Sequence, residues 1–135
     1  MPNLTPELYW LTVTILLTGI MWLPYILQLL GQMGVFAALT DGNHETGHEA
    51  LWARRAKRAH LNAVENLVIF APLVLALHVM NVHTGLTVLA CIVYFWARLA
   101  HWVLYLFGIP LARTLAFFIG WLAQFALGFT LLGWL

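Results

Sequence analysis

Arg58, Asn62 and Glu65 are spaced i, i+4 and i+7, a spacing that an α-helix brings onto one face. They lie in the stretch Arg54–Leu77, RRAKRAHLNAVENLVIFAPLVLAL, which opens with four cations in five residues and becomes an apolar run reaching Met80. His60 and Asn66 fall on neighbouring faces of the same helix. A second constellation, Arg98, His101 and Tyr105, is spaced i, i+3 and i+7, and Arg113 follows it. Ionisable groups inside an apolar span are costly, and they face a bundle interior, a cavity or a partner charge. Glu65 and Arg98 could neutralise each other as a buried pair, but that pairing leaves Asn62, His101, Tyr105 and Arg113 without a role. The two constellations are therefore the candidate site.

A third pattern is HETGH at His44–His48. It matches H-E-x-x-H, in which two histidines one turn apart hold zinc and the glutamate activates water. That chemistry needs a helix and a third ligand. Gly47 inside the pentad and Gly42 before it weaken a helix, and no third ligand follows at a familiar spacing, although Glu49 and His60 exist. A solvated polar loop is the preferred reading, with a membrane metallohydrolase as the alternative; no metal ligand is assigned.

The elements that must position these residues are membrane helices. Of the 135 residues, 63% are apolar and only 8% charged, with a mean hydropathy of +0.89; a soluble domain carries about 25% charge. No charge occurs between Glu7 and Asp41, or from Thr114 to Leu135. About 20 apolar residues span the hydrocarbon, so four spans are expected: Leu8–Met33, Ala56–Met80, Gly85–Leu106 and Pro110–Trp134. Barrel strands would be shorter and would alternate polar with apolar. The expectation is an all-α, integral membrane four-helix bundle, with one domain over 1–135. Met1–Glu7 has no basic residue, which argues against a cleaved signal peptide.

Arg54, Arg55, Lys57 and Arg58 flank the first loop and Arg113 follows the third, whereas the second loop and both termini lack Lys and Arg. The positive-inside rule places loops one and three in the cytoplasm and both termini on the opposite side. These cations read as orientation signals or anionic-lipid contacts rather than a nucleic-acid surface. Pro24 is expected to kink the first span or to be accommodated by neighbouring helices, and Pro72 to bend the second, opening space near Asn62 and Asn66. Gln28 and Gln32, one turn apart, either line a cavity or bond to neighbouring helices. His78, Asn81 and His83 mark an interface and call for no special role. Cys91, the one cysteine, is a packing residue. Ala116, Gly120, Gln124 and Gly128 form a stripe suited to helix packing or subunit contact.

Arg58-Ala59-His60-Leu61-Asn62-Ala63-Val64-Glu65-Asn66, followed by an apolar run with Pro72, resembles the signature of the MAPEG family, membrane-associated proteins of eicosanoid and glutathione metabolism. Arg98, His101 and Tyr105, with Arg113-Thr114 beyond, are similar to the same family's third and fourth helices. The resemblance implies a homotrimer with glutathione bound between subunits. By position, Arg58, Asn62 and Glu65 would bind glutathione, Arg98, His101 and Tyr105 would complete the pocket, and Arg113 would hold the thiol as thiolate, the nucleophile. A lipophilic electrophile or hydroperoxide would enter from the bilayer. The implied activity is a glutathione-dependent transferase or peroxidase; the alternative is a non-catalytic membrane protein that binds a thiol or lipid in the same pocket. Gln28 and Gln32 stand where members with eicosanoid activity usually carry basic residues.

Overall fold

The computed structural model describes residues 3–41 and 47–135, and among them every regular element is a helix. The chain runs α1 (Pro6–Ile20), α2 (Leu23–Met33), α3 (Val35–Thr40), α4 (Leu51–Val79), α5 (Gly85–Leu106) and α6 (Pro110–Leu131). Four helical stretches are long and apolar enough to cross a membrane: Pro6–Met33, Leu51–Val79, Gly85–Leu106 and Pro110–Leu131. The chain is an integral, multi-pass membrane protein in which α4 and α6 start at one end of the bundle and α5 at the other. The end carrying Arg54–Arg58 and Arg113 is called the basic end below.

The first stretch is interrupted next to Pro24, as expected: two helical segments are joined through Met21 and Trp22, which keep right-handed helical dihedrals. Pro24 has no N–H to give and its ring crowds the carbonyl one turn back, so the helix stops at Ile20 and restarts at Leu23 with proline in the first turn, where it is tolerated. Pro72, in contrast, lies inside an unbroken α4. That helix begins at Leu51, five residues before the expected start of the span at Ala56, so the cation cluster is itself helical. α3 occupies part of the expected first loop, and α6 ends at Leu131 rather than Trp134. The third span matches its expected bounds.

Packing is graded along α4. Its buried face is alanine at 53, 56, 59 and 63 near the basic end, then Asn66, Phe70, Val74 and Leu77. Small residues let neighbouring backbones approach, and the larger ones fill the far half with Leu11, Cys91, Tyr94 and Leu127. There the Phe70 and Tyr94 rings stack at 3.7 Å. α6 lies against α5 more extensively than any other pair packs. Three of the four stripe residues, Ala116, Gly120 and Gln124, are buried, with Gly120 facing Ala97, Arg98 and Tyr94.

Candidate functional site

The inner part of the site hangs on Arg98. α5 carries it inward, where it is only 3% exposed. Its Nη2 donates to Asn62 Oδ1 on α4 at 2.6 Å, and its guanidinium lies 5.9 Å from the Phe117 ring centre on α6. The same nitrogen is 3.4 Å from His101 Nδ1, which can only accept from it, leaving the ring proton on Nε2. Asn62 is fixed from the other side too. The Asn66 amide donates to the Asn62 carbonyl at 2.8 Å, and Gln124 Nε2 on α6 donates to the Asn66 carbonyl at 3.1 Å. Three helices are thereby tied at one level by groups with no water to replace them. Three buried donors in this neighbourhood, Arg98 Nε, Tyr94 Oη and Trp102 Nε1, have no partner among the described residues.

The outer part is a cavity of about 430 Å³ lined by Leu51, Arg54, Arg55, Arg58, Tyr105 and Arg113. The Arg113 guanidinium lies 4.4 Å over the Tyr105 ring, a cation–π contact. The Tyr105 ring is 5.4 Å from His101. A continuous polar track therefore runs from Arg113 through Tyr105, His101 and Arg98 to Asn62. An anion entering the cavity meets guanidinium groups first, then a phenol and an imidazole.

Six of the seven expected site residues thus belong to one track or its mouth. Glu65 stands apart: it is exposed on α4 and makes no hydrogen bond or ion pair among the described residues. The alternative Glu65–Arg98 pair does not form, because Arg98 uses Asn62 instead. A carboxylate presented outward from a membrane helix, with no partner among the described residues, is open to a second surface or a ligand.

Gln28 and Gln32 take the hydrogen-bonding alternative, to the returning loop rather than to a neighbouring membrane helix. They bond to each other at 3.0 Å and clamp the returning loop: Gln32 Nε2 donates to the Gly47 carbonyl at 2.9 Å and its Oε1 accepts from Glu49 N at 2.9 Å. The buried His48 completes the clamp, its Nδ1–H donating to Gln28 Oε1 at 2.7 Å. Burial, and then the positive charge of Lys57, lower its pKa below the usual imidazole value. Of the HETGH pentad, His44, Glu45 and Thr46 lie outside the described residues. No group of three or more potential metal ligands occurs among the residues described. His60, a neighbour of the site in sequence, is taken up by the Tyr25 hydroxyl at 2.7 Å.

Two features escaped the sequence reading. Gln124 looked like part of a packing stripe, yet it bonds to the site, as its being the one amide in a small-residue repeat could have suggested. The second concerns His83, which does have a structural role. Glu7, 1% exposed, accepts from Thr87 Oγ1 at 2.6 Å, and its other oxygen lies 3.3 Å from His83 Nδ1, within ion-pair range though not aligned as a hydrogen bond. The contact crosses 80 residues of sequence, and no local pattern announces it.

No curated protein and no solved structure matches the chain. The family model that does match is that of the MAPEG family, and it aligns with residues 8–133. With four membrane-capable helices, a polar track built from the second, third and fourth of them, and this match over nearly its whole length, the chain belongs to the MAPEG family, membrane-associated proteins of eicosanoid and glutathione metabolism.

Proposed function

We propose that the protein is a glutathione-dependent transferase or peroxidase acting on lipophilic electrophiles or hydroperoxides. The observation that carries this reading is the guanidinium-lined cavity continuous with the Arg113–Tyr105–His101–Arg98–Asn62 track. Arg58 at the mouth would hold a carboxylate of the tripeptide. Glu65 would engage its α-amino group, and Asn62, Arg98, His101 and Tyr105 would line the remainder. Arg113 would sit beside the thiol. A nearby guanidinium favours thiolate over thiol, and arginine keeps its charge where lysine would lose it.

The exposed position of Glu65 supports a site completed by a neighbouring subunit, and a homotrimer is the assembly proposed. In that assembly the basic end faces the cytoplasm, by the excess of arginine and lysine there. The apolar second substrate would arrive laterally from the bilayer, which the four spans provide.

The test is glutathione binding to detergent-purified protein, read by calorimetry and by ultraviolet absorbance of the thiolate at neutral pH. Saturable binding with a thiolate band, both lost in Glu65→Gln and Arg58→Ala, is expected. Absence of binding at millimolar glutathione would end this reading.

A further inference from the structure

We propose that the mouth of the cavity is also a phosphate-binding site, built by Arg54 and Arg55, two residues that the glutathione reading does not use. Four guanidinium groups line this cavity and no carboxylate does. The one ion pair among the described residues, Glu7 with His83, is at the far end of the bundle. Glutathione brings two carboxylates, an ammonium and a thiol, and in the reading above Arg58 answers one carboxylate, Glu65 the ammonium and Arg113 the thiolate. One further cation would answer the second carboxylate, so Arg54 and Arg55 together still exceed what glutathione needs at this opening.

Both are held in place rather than free in solvent. Arg55 lies over Gly108, the glycine of the α5–α6 turn, so closely that a Cβ there would fall 2.6 Å from its Cζ and Nη1. Gly108 has φ of +70°, a conformation that only glycine adopts without strain. One residue thus both makes the turn and leaves a flat seat for the guanidinium face, whose N–H edges stay available. Arg54 Nη2 donates to the Glu49 carbonyl at 3.0 Å, which fixes the group while leaving its other donors unused. The cavity also includes Leu51, the first residue of α4, and no side chain caps that helix start. Its free backbone N–H groups add to the anion-binding potential of the same mouth.

A phosphate fits this set better than a carboxylate. Two fixed guanidinium forks and uncapped amides offer more donors than one carboxylate can accept, and guanidinium matches phosphate bidentately. The depth agrees: the exposed Leu51, Trp52, Phe107 and Leu111 surround this end of the bundle, apolar and aromatic side chains of the kind found where lipid chains give way to headgroups. The phosphate belongs either to an anionic phospholipid headgroup or to a soluble phosphate compound. A diffuse polybasic attraction would act differently, because Lys57 would then count as much as Arg54 or Arg55.

The experiment uses the full chain in nanodiscs of phosphatidylcholine. One arm adds phosphatidic acid and measures retained lipid by native mass spectrometry; the other titrates inorganic phosphate at constant ionic strength by calorimetry. Phosphatidic acid binding without inorganic phosphate binding assigns the lipid, and binding of both assigns a site open to soluble phosphate. In either case Arg54→Gln/Arg55→Gln should weaken binding about tenfold or more, the scale of lost charge-assisted bonds, and Lys57→Gln by less than about twofold. Gly108→Ala keeps every charge and should weaken binding as Arg55→Gln alone does; the single Arg55→Gln variant serves if Gly108→Ala does not fold. Glu65→Gln, which removes the proposed ammonium partner and lines no part of this cavity, should abolish glutathione binding while changing phosphate binding by less than about twofold, so loss of the phosphate site and failure of the glutathione reading give separate results. Binding of neither probe, or equal losses in Lys57→Gln and the double variant, would overturn the proposal.

Discussion

The two ends of this bundle solve the problem of polar groups in a membrane in opposite ways. At the far end a single carboxylate, Glu7, is sealed inside. It accepts from the Thr87 hydroxyl and faces His83, so that α1, α5 and the turn between α4 and α5 close on one another. Thr87 meanwhile completes a capping box with Thr84 at the start of α5. At the basic end the balance is reversed. Guanidinium groups converge on a cavity that no carboxylate lines, two buried donors nearby, Arg98 Nε and Trp102 Nε1, lack acceptors among the described residues, and the carboxylate on the site's own helix face, Glu65, is exposed. Buried polar groups are ordinarily paired. An end that pairs its own groups is built to hold shape, and an end that leaves them open is built to receive something.

The largest predicted effect breaks the basic end where the reaction would occur. Arg113→Ala should lower turnover with glutathione by about 100-fold, the usual cost of removing one electrostatic stabiliser of a developing charge. The thiolate absorbance should fall with it while most of the binding heat remains. Equal loss of both would make Arg113 a binding residue instead. Next comes Asn62→Leu, which removes the acceptor of a charge-assisted bond and leaves the Arg98 guanidinium buried beside an apolar group. It should destabilise the protein by about 2 kcal/mol, read as a lower thermal midpoint in detergent. Here the effect reaches the cavity as well, because Arg98 would turn from Asn62 toward His101 and disturb the track. An unchanged midpoint would mean that Asn62 serves a ligand and does not hold Arg98.

Much of this contrast was legible in the sequence, but unevenly. The four spans follow from the charge-free runs, and the helical spacing of Arg58, Asn62, Arg98, His101 and Tyr105 placed them at one end before any geometry was known. Periodicity states which face a residue shares, not which neighbour wins it. The competition of Asn62 and Glu65 for Arg98 was decided by depth: the shorter asparagine lies on the inward edge of the shared face, and Glu65 lies beyond it. Pro24 and Pro72 carry the same local signal, yet one breaks a helix and the other does not. The break at Pro24 falls at Met21 and Trp22, just after Thr18 bonds back to a carbonyl of its own helix, whereas Pro72 lies within a long helix packed on four others, α1, α2, α5 and α6. Glu7 read as a terminal charge because its partners are far along the chain.

The far end supplies the control for this contrast. Glu7→Ala deletes the buried carboxylate, but the Thr87 hydroxyl already lies 2.8 Å from the Thr84 carbonyl and can donate there instead. No donor is orphaned, so the cost should be about 1 kcal/mol, with glutathione and phosphate binding at the other end unaffected. A change in either binding would show the two ends to be coupled and would remove the distinction drawn between them.

The smallest effect sharpens the comparison through pH. His48 pins the loop to α2 as a neutral imidazole, with the Gln28 carbonyl oxygen at Nδ1, the Tyr25 ring at 5.7 Å and the Lys57 charge nearby. Its pKa in the docked state lies below the usual 6.5. Above pH 6.5 both docked and released forms are neutral, and docking is at full strength. As pH falls below that value the released form takes up the proton first, so acid favours release, and the loss continues until the docked form also protonates. Hydrogen exchange of the amides at 47–50, corrected for the intrinsic pH dependence, should therefore rise from pH 7 to pH 5.5. His48→Gln, which can still donate to Gln28 but cannot titrate, should show a flat corrected profile. The same slope in that variant would move the pH response away from His48, leaving the loop clamp to Gln28 and Gln32 alone.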